Sequence, residues 1–167
     1  MTTPEHQLLG RLFSRNHWYF DHLLQAAASL DPGALTAEAA GSYGSIRETT
    51  LHVLDAMTLW NVRLDGQSPT TLAFVPRDAD DHRLLSTSRE LTSAFLHRLE
   101  DRDLNLNHML SYRNTRGEER SNRIGDAIMQ VAVHSAHHLA QVSTLLTQAG
   151  GKPLEGDYIY YVIAKEA

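Results

Sequence analysis

Ten of the 167 residues are histidine, and His134, His137 and His138 fall within one five-residue stretch. On a helix turning about 100° per residue, His134 and His138 project about 40° apart, whereas His137 points about 100° away from His138. Ile128, Val131, Ser135, Val142, Leu145, Leu146 and Ala149 define the inward face of such a helix. His138 lies within that arc and His134 at its edge, with His137 turned outward. The inward pair has i, i+4 spacing, which sets the two Cβ atoms about 6 Å apart. Two imidazoles so placed can share one metal ion, as in the H-x-x-x-H part of zincin sites. The zincin glutamate is missing, since Ser135 follows His134. A pair alone fits core or surface histidine equally well, so the chemistry turns on a third ligand.

His52 supplies one. It belongs to a segment whose inward face is Ile46, Val53, Met57 and Trp60, and it lies at the border of that face beside Ala56, opposite the arc of Arg47, Glu48 and Asp55. By itself His52 reads as a buried histidine satisfied by hydrogen bonds. Burying three imidazoles together in an apolar bundle costs several kcal/mol in unpaired polar groups, whereas one divalent metal satisfies a nitrogen of each. Three histidine ligands leave a fourth position for water or substrate, the layout of a catalytic site rather than a structural one. The expected cofactor is a divalent transition metal held by His52, His134 and His138. Zinc or nickel comes first, although imidazole donors also suit copper and iron. His6, His17, His22, His82, His97 and His108 read as surface residues. His17 and Trp18 stand halfway along the first helix, at a depth where they could line a pocket above the metal. Core packing is the expected role of Trp18, Trp60 and the Tyr158–Tyr161 cluster.

The elements that must position these residues are helical. From Pro4 to Leu30, apolar residues recur at spacings of three and four until Asp31, Pro32 and Gly33 stop the pattern. Residues 34–44 form a small-residue connection. Ser45 and Glu48 match a capping box that opens a second helix running to about Leu64. Residues 66–82 carry two prolines and read as a crossover. A third helix spans about Asp81–Arg102, with Leu84, Leu85, Ser88, Leu91, Phe95 and Leu99 along one face. Leu106–Arg120 reads as a small hairpin or an irregular loop turning at Asn114–Gly117. The fourth helix, about Arg123–Ala149, is closed by Gly150, Gly151 and Pro153. The fold class is therefore all-α, a four-helix bundle with a crossover, in one domain over residues 1–167. The apolar tail GDYIYYVIA is too short to stand alone and should dock on the bundle or on a partner chain.

Composition narrows the function. With no cysteine in the chain, thiolate nucleophiles, disulfide frameworks, zinc ribbons and iron–sulfur clusters are excluded. A net charge of -5, from 15 basic and 20 acidic residues, and the lack of a basic block argue against nucleic-acid binding. Every apolar run is broken well before the roughly 18 residues of a membrane span. The start MTTPEHQLLG has no cationic and apolar leader pattern, so a cytoplasmic location is expected.

In combination and order, Asn16 to Leu24, GSIRETTLHVLDAMTLW at 44–60, HSAHHLAQVSTLLTQAGGKP at 134–153 and the tail DYIYYV resemble the DinB-like (YfiT-like) family of small bacterial metal-binding bundles. That resemblance implies an up-down-down-up bundle, a homodimer, and a divalent metal on one histidine of the second helix and the first and last of H-x-x-H-H: His52, His134 and His138. Many relatives continue that motif with Arg-Gly-Gln, where this chain has Leu139, Ala140 and Gln141. Relatives with known roles include enzymes that use low-molecular-weight thiols. The expected function is thus a divalent-metal-dependent enzyme, a thiol-dependent S-transferase or a hydrolase acting on a small molecule at the open metal position. The alternatives are a non-catalytic, stress-associated metal-binding homodimer and a plain helical interaction protein. A homodimer is also expected because the tail and the first helix carry more apolar surface than one bundle covers.

Overall fold

The computed structural model describes residues 3–39 and 43–166. It comprises α1 (Pro4–Ala27), α2 (Pro32–Thr36), α3 (Ile46–Leu64), α4 (Asp81–Glu100), β1 (Met109–Arg113), β2 (Glu119–Arg123), α5 (Ile124–Gln148) and α6 (Tyr158–Glu166). The long helices α1, α3, α4 and α5 are the four expected from the periodicity. Helix α1 packs on α4 and α5, and α3 packs on α5 and α4, closing a ring of helices. Its core includes Phe13, Phe20, Leu54, Phe95, Ile128 and Leu146. The Phe13 and Phe95 rings stack at 4.4 Å, tying α1 to α4. On α5 the inward face is the one the wheel selects, from Ile128 and Val131 to Leu145 and Leu146, with Ala149 partly exposed. No helix among the described residues is long and apolar enough to cross a membrane.

Boundaries differ in places. Helix α1 ends at Ala27, short of Leu30, and the connection after it contains α2, capped where Asp31 Oδ1 accepts from the Gly33 N–H at 2.8 Å. Residues 40–42 of that connection lie outside the described residues. The segment before the last helix is a hairpin, with register running from Met109 opposite Arg123 to Arg113 opposite Glu119. Its turn is organised by Asn114, whose Oδ1 accepts from the N–H groups of Arg116 and Glu118. The strands reach Arg123, three residues beyond the segment expected. The tail forms α6 against α1, with Tyr161 5.8 Å from the Trp18 ring. Tyr158 and Tyr160 are exposed rather than packed in the core, because a nine-residue helix on the surface of α1 has only one face to bury.

Helix α3 is held at both its start and its middle. Ser45 Oγ accepts from the Glu48 N–H and Glu48 Oε2 accepts from the Ser45 N–H, so the capping box is complete. Gly44 sits at φ 88°, and a Cβ there would run into the Glu48 carboxylate. Further along, Asp55 corrects the helical wheel. It was assigned to the polar outer arc, yet it is 2% exposed. The crossover folds over it: Asp55 Oδ1 accepts from the N–H groups of Phe74 and Val75 at 2.9 and 2.8 Å, and Oδ2 pairs with Arg77. A carboxylate on an otherwise outward face has become the anchor of a segment with no period of its own.

Asp55→Ala leaves those two N–H groups unpaired, one of them on buried Val75. The expected loss in urea-unfolding stability is about 2–4 kcal/mol. Arg77→Met removes the cation but leaves both N–H bonds to Asp55, so it should cost less than Asp55→Ala in the same measurement.

Candidate metal centre

His52 comes from the middle of α3, and His134 and His138 come from successive turns of α5, across the seam where these helices pack. One ring nitrogen of each lies within 4.8 Å of the others. The rings meet edge to face, with centroids 5.0 Å apart for His52–His134, 4.7 Å for His52–His138 and 4.4 Å for His134–His138. Among the described residues no further histidine and no carboxylate joins this group. The structure thus brings together the three residues that sequence spacing selects.

The donor set fits a transition metal. Neither His52 nor His134 has a ring nitrogen in a hydrogen bond among the described residues, although His52 is only 9% exposed. Burial pushes the His52 imidazole down to about 4, aided by His138 and opposed by Asp55. Burial likewise pushes His134 down to about 4, with His138, His52 and His137 adding to the effect. His138 is lowered for the same first reason, against a hydrogen bond to Gln141 that works in the other direction. At neutral pH all three rings therefore carry free lone pairs, the state a metal requires.

Gln141 orders one of them. Its Oε1 lies 2.7 Å from His138 Nδ1 and its Nε2 3.2 Å from His137 Nε2. A carbonyl oxygen can only accept, so His138 carries its proton on Nδ1 and turns Nε2 toward the triad. His137 is exposed, as the wheel places it, and receives the amide N–H on the outer side. Leu139, where many relatives have arginine, is 1% exposed and belongs to the core.

Tyr43 borders the site and lies outside the sequence-derived set. Its ring stacks on His52 at 3.8 Å and 12°, and it is 52% exposed. No periodicity marks it, because it precedes α3 in a connection. Gln141 was legible in principle, since i+3 and i+4 neighbours on a helix meet its side chain. His17 and Trp18 are not above the triad. His17 Nδ1 is 2.9 Å from Ser88 Oγ between α1 and α4, and His17 and Trp18 line a separate cleft with Arg89 and Lys165. Trp18 and Trp60 pack against the core, as expected. His6 is buried, not superficial, with Nε2 3.2 Å from the Leu104 carbonyl.

A family model described as the DinB family matches residues 1–166. No curated protein matches the chain.

Two expectations follow from this geometry. Gln141→Leu should weaken zinc binding about 10- to 100-fold in a competition titration, while His137→Ala leaves it nearly unchanged. In chelated protein, His52 and His134 take up protons from about 6.5 downward in the unfolded chain but only near about 4 in the folded one. The unfolded state binds more protons through that window, so stability is highest above it and falls as pH drops across it. Thermal melts between pH about 7 and about 4 should show this decline, and it should flatten in a His52→Leu, His134→Leu double variant.

Proposed function

The chain belongs to the DinB family, and from that premise we propose that it is a divalent-metal-dependent enzyme acting on a small molecule at the open side of His52, His134 and His138. The observation that carries this reading is a set of three neutral imidazoles from two helices that no further histidine or carboxylate joins among the described residues. A structural site closes its coordination with protein, whereas three ligands leave room for a reacting group. Imidazole donors suit zinc and nickel. When bound, such an ion lowers the pKa of a coordinated thiol or water and so supplies a nucleophile near neutral pH.

The protein's own contribution is positional. Gln141 keeps His138 in one tautomer, the stack of Tyr43 on His52 narrows the approach, and the core around Leu139 keeps the back of the site dry. In a chain without cysteine, S-transfer takes its thiol from a cosubstrate, whereas hydrolysis needs only a bound water. A screen of electrophiles with low-molecular-weight thiols, alongside simple esters and amides, tests the reading. The expected result is turnover that disappears on chelation, returns with zinc or nickel, and is absent in His52→Ala. Turnover indifferent to chelation would contradict it, and metal binding without turnover would favour the non-catalytic binding protein.

We also propose a homodimer. Met129 and Val133 on α5 are 44% and 55% exposed, and Ile159 and Ile163 on α6 are 57% and 55% exposed. Each pair has i, i+4 spacing and presents an apolar face that self-association would cover. Sedimentation equilibrium should give twice the 18.7 kDa chain mass, and Val133→Arg or Ile163→Asp should shift it toward the monomer. A wild-type monomer at high micromolar concentration would overturn this.

A further inference from the structure

A second polar cleft lies on the same seam as the histidines. It has a volume of about 370 Å³ and is lined by Trp60, Tyr112, Asn122, Asp126, Ala127 and Gln130. Gln130 is one helical turn and Asp126 two turns before His134 on α5, while Trp60 is two turns after His52 on α3. The two helices therefore run antiparallel here. Four residues of helix correspond to about 6 Å along the axis and eight to about 12 Å, so the cleft begins about one turn from the triad and reaches Asp126 and Trp60 at about two.

Its walls are fixed. Arg63, 4% exposed, places its guanidinium 4.9 Å from the Trp60 ring centre and 4.7 Å from that of Tyr112, and donates to the Arg113 carbonyl at 3.3 Å. This contact pins the hairpin to α3 and sets the two rings at 66°. Tyr112 Oη in turn donates to Asn122 Oδ1 at 2.9 Å, leaving the Asn122 amide N–H groups to point elsewhere. Asp126 and Gln130 have no ion pair or hydrogen bond from any side chain among the described residues, and no basic residue lines the cleft. The two rings already have Arg63 as their cation, and what remains is an exposed, unpaired carboxylate beside two amides, a receptor for a hydrogen-bond donor of positive charge.

Building on the metal-site reading, we propose that this cleft binds the far end of the substrate or cosubstrate, and that the group recognised is a primary ammonium held by Asp126, with the metal-seeking head of the same molecule at the triad. The occupant is thus an elongated small molecule with a donor atom at one end and an amine at the other. Asp126 is a specificity-determining residue in this account, remote from the reacting atoms.

The test uses cobalt-loaded Trp18→Phe protein, in which Trp60 is the remaining indole. Cobalt absorption reports the head of the ligand and Trp60 emission reports its tail. The probes are 8-aminooctane-1-thiol, its neutral counterpart 8-mercaptooctan-1-ol, and 2-aminoethanethiol, which is too short to span the seam. The long aminothiol should move both signals with one shared affinity, about tenfold tighter than the mercapto-alcohol, since a charge-assisted contact is involved. Asp126→Asn should remove that advantage and the Trp60 response while the cobalt response persists. The short aminothiol should move the cobalt signal alone, with no dependence on Asp126. Equal affinities for amine and alcohol, or an advantage that survives Asp126→Asn, would overturn the proposal. So would tighter binding of 8-mercaptooctanoate, which would give the cleft to an anion. If no thiol perturbs cobalt but the long aminothiol still moves Trp60 emission through Asp126, the open-metal reading fails and the amine cleft stands.

Discussion

The arrangement depends on keeping imidazoles neutral between two packed helices. A partly buried ring with no hydrogen-bond partner is unfavourable, and among the described residues neither His52 nor His134 has one. Their basicity falls because the charged form is worse still in this environment. A metal ion relieves the unpaired nitrogens and exploits the lowered basicity at once. In the proposed reading a bound ion would stabilise the α3–α5 seam and so couple metal affinity to folding.

Much of the chain serves to fix α3. The capping box at Ser45 and Glu48 sets its start, and Gly44 allows the backbone to enter without a clash. Asp55, one turn beyond His52, gathers the crossover onto the outer surface of the helix. Arg63 then ties its last turns to the hairpin. A rotation of α3 by one residue would carry His52 about 100° out of the seam. These polar contacts oppose that rotation, together with the core packing of Leu51, Val53, Leu54 and Met57.

The four long helices and the three ligands were legible because helical periodicity is a local property. Residues 128–149 repeat the apolar spacing over six turns, and the same wheel separates His134 and His138 from His137. The wheel failed at Asp55, where a residue on the polar arc is covered by a loop that no periodicity predicts. It failed at His6, buried by the segment after α4, and at Tyr158 and Tyr160, apolar enough for a core but left on the surface by a short helix. Tyr43, Asp126 and Gln130 stayed hidden for a related reason. Their neighbours come from distant segments, so only the packed structure shows which surface they share.

Metal content of the purified protein, measured by elemental analysis on wild type and on His52→Ala, His134→Ala and His138→Ala, tests the central claim most directly. The account predicts about one divalent transition metal ion per wild-type chain and substoichiometric metal in each variant, with every variant still folded because its core is untouched. Wild-type metal content in the variants, or a fully active wild-type protein that binds no metal, would contradict it.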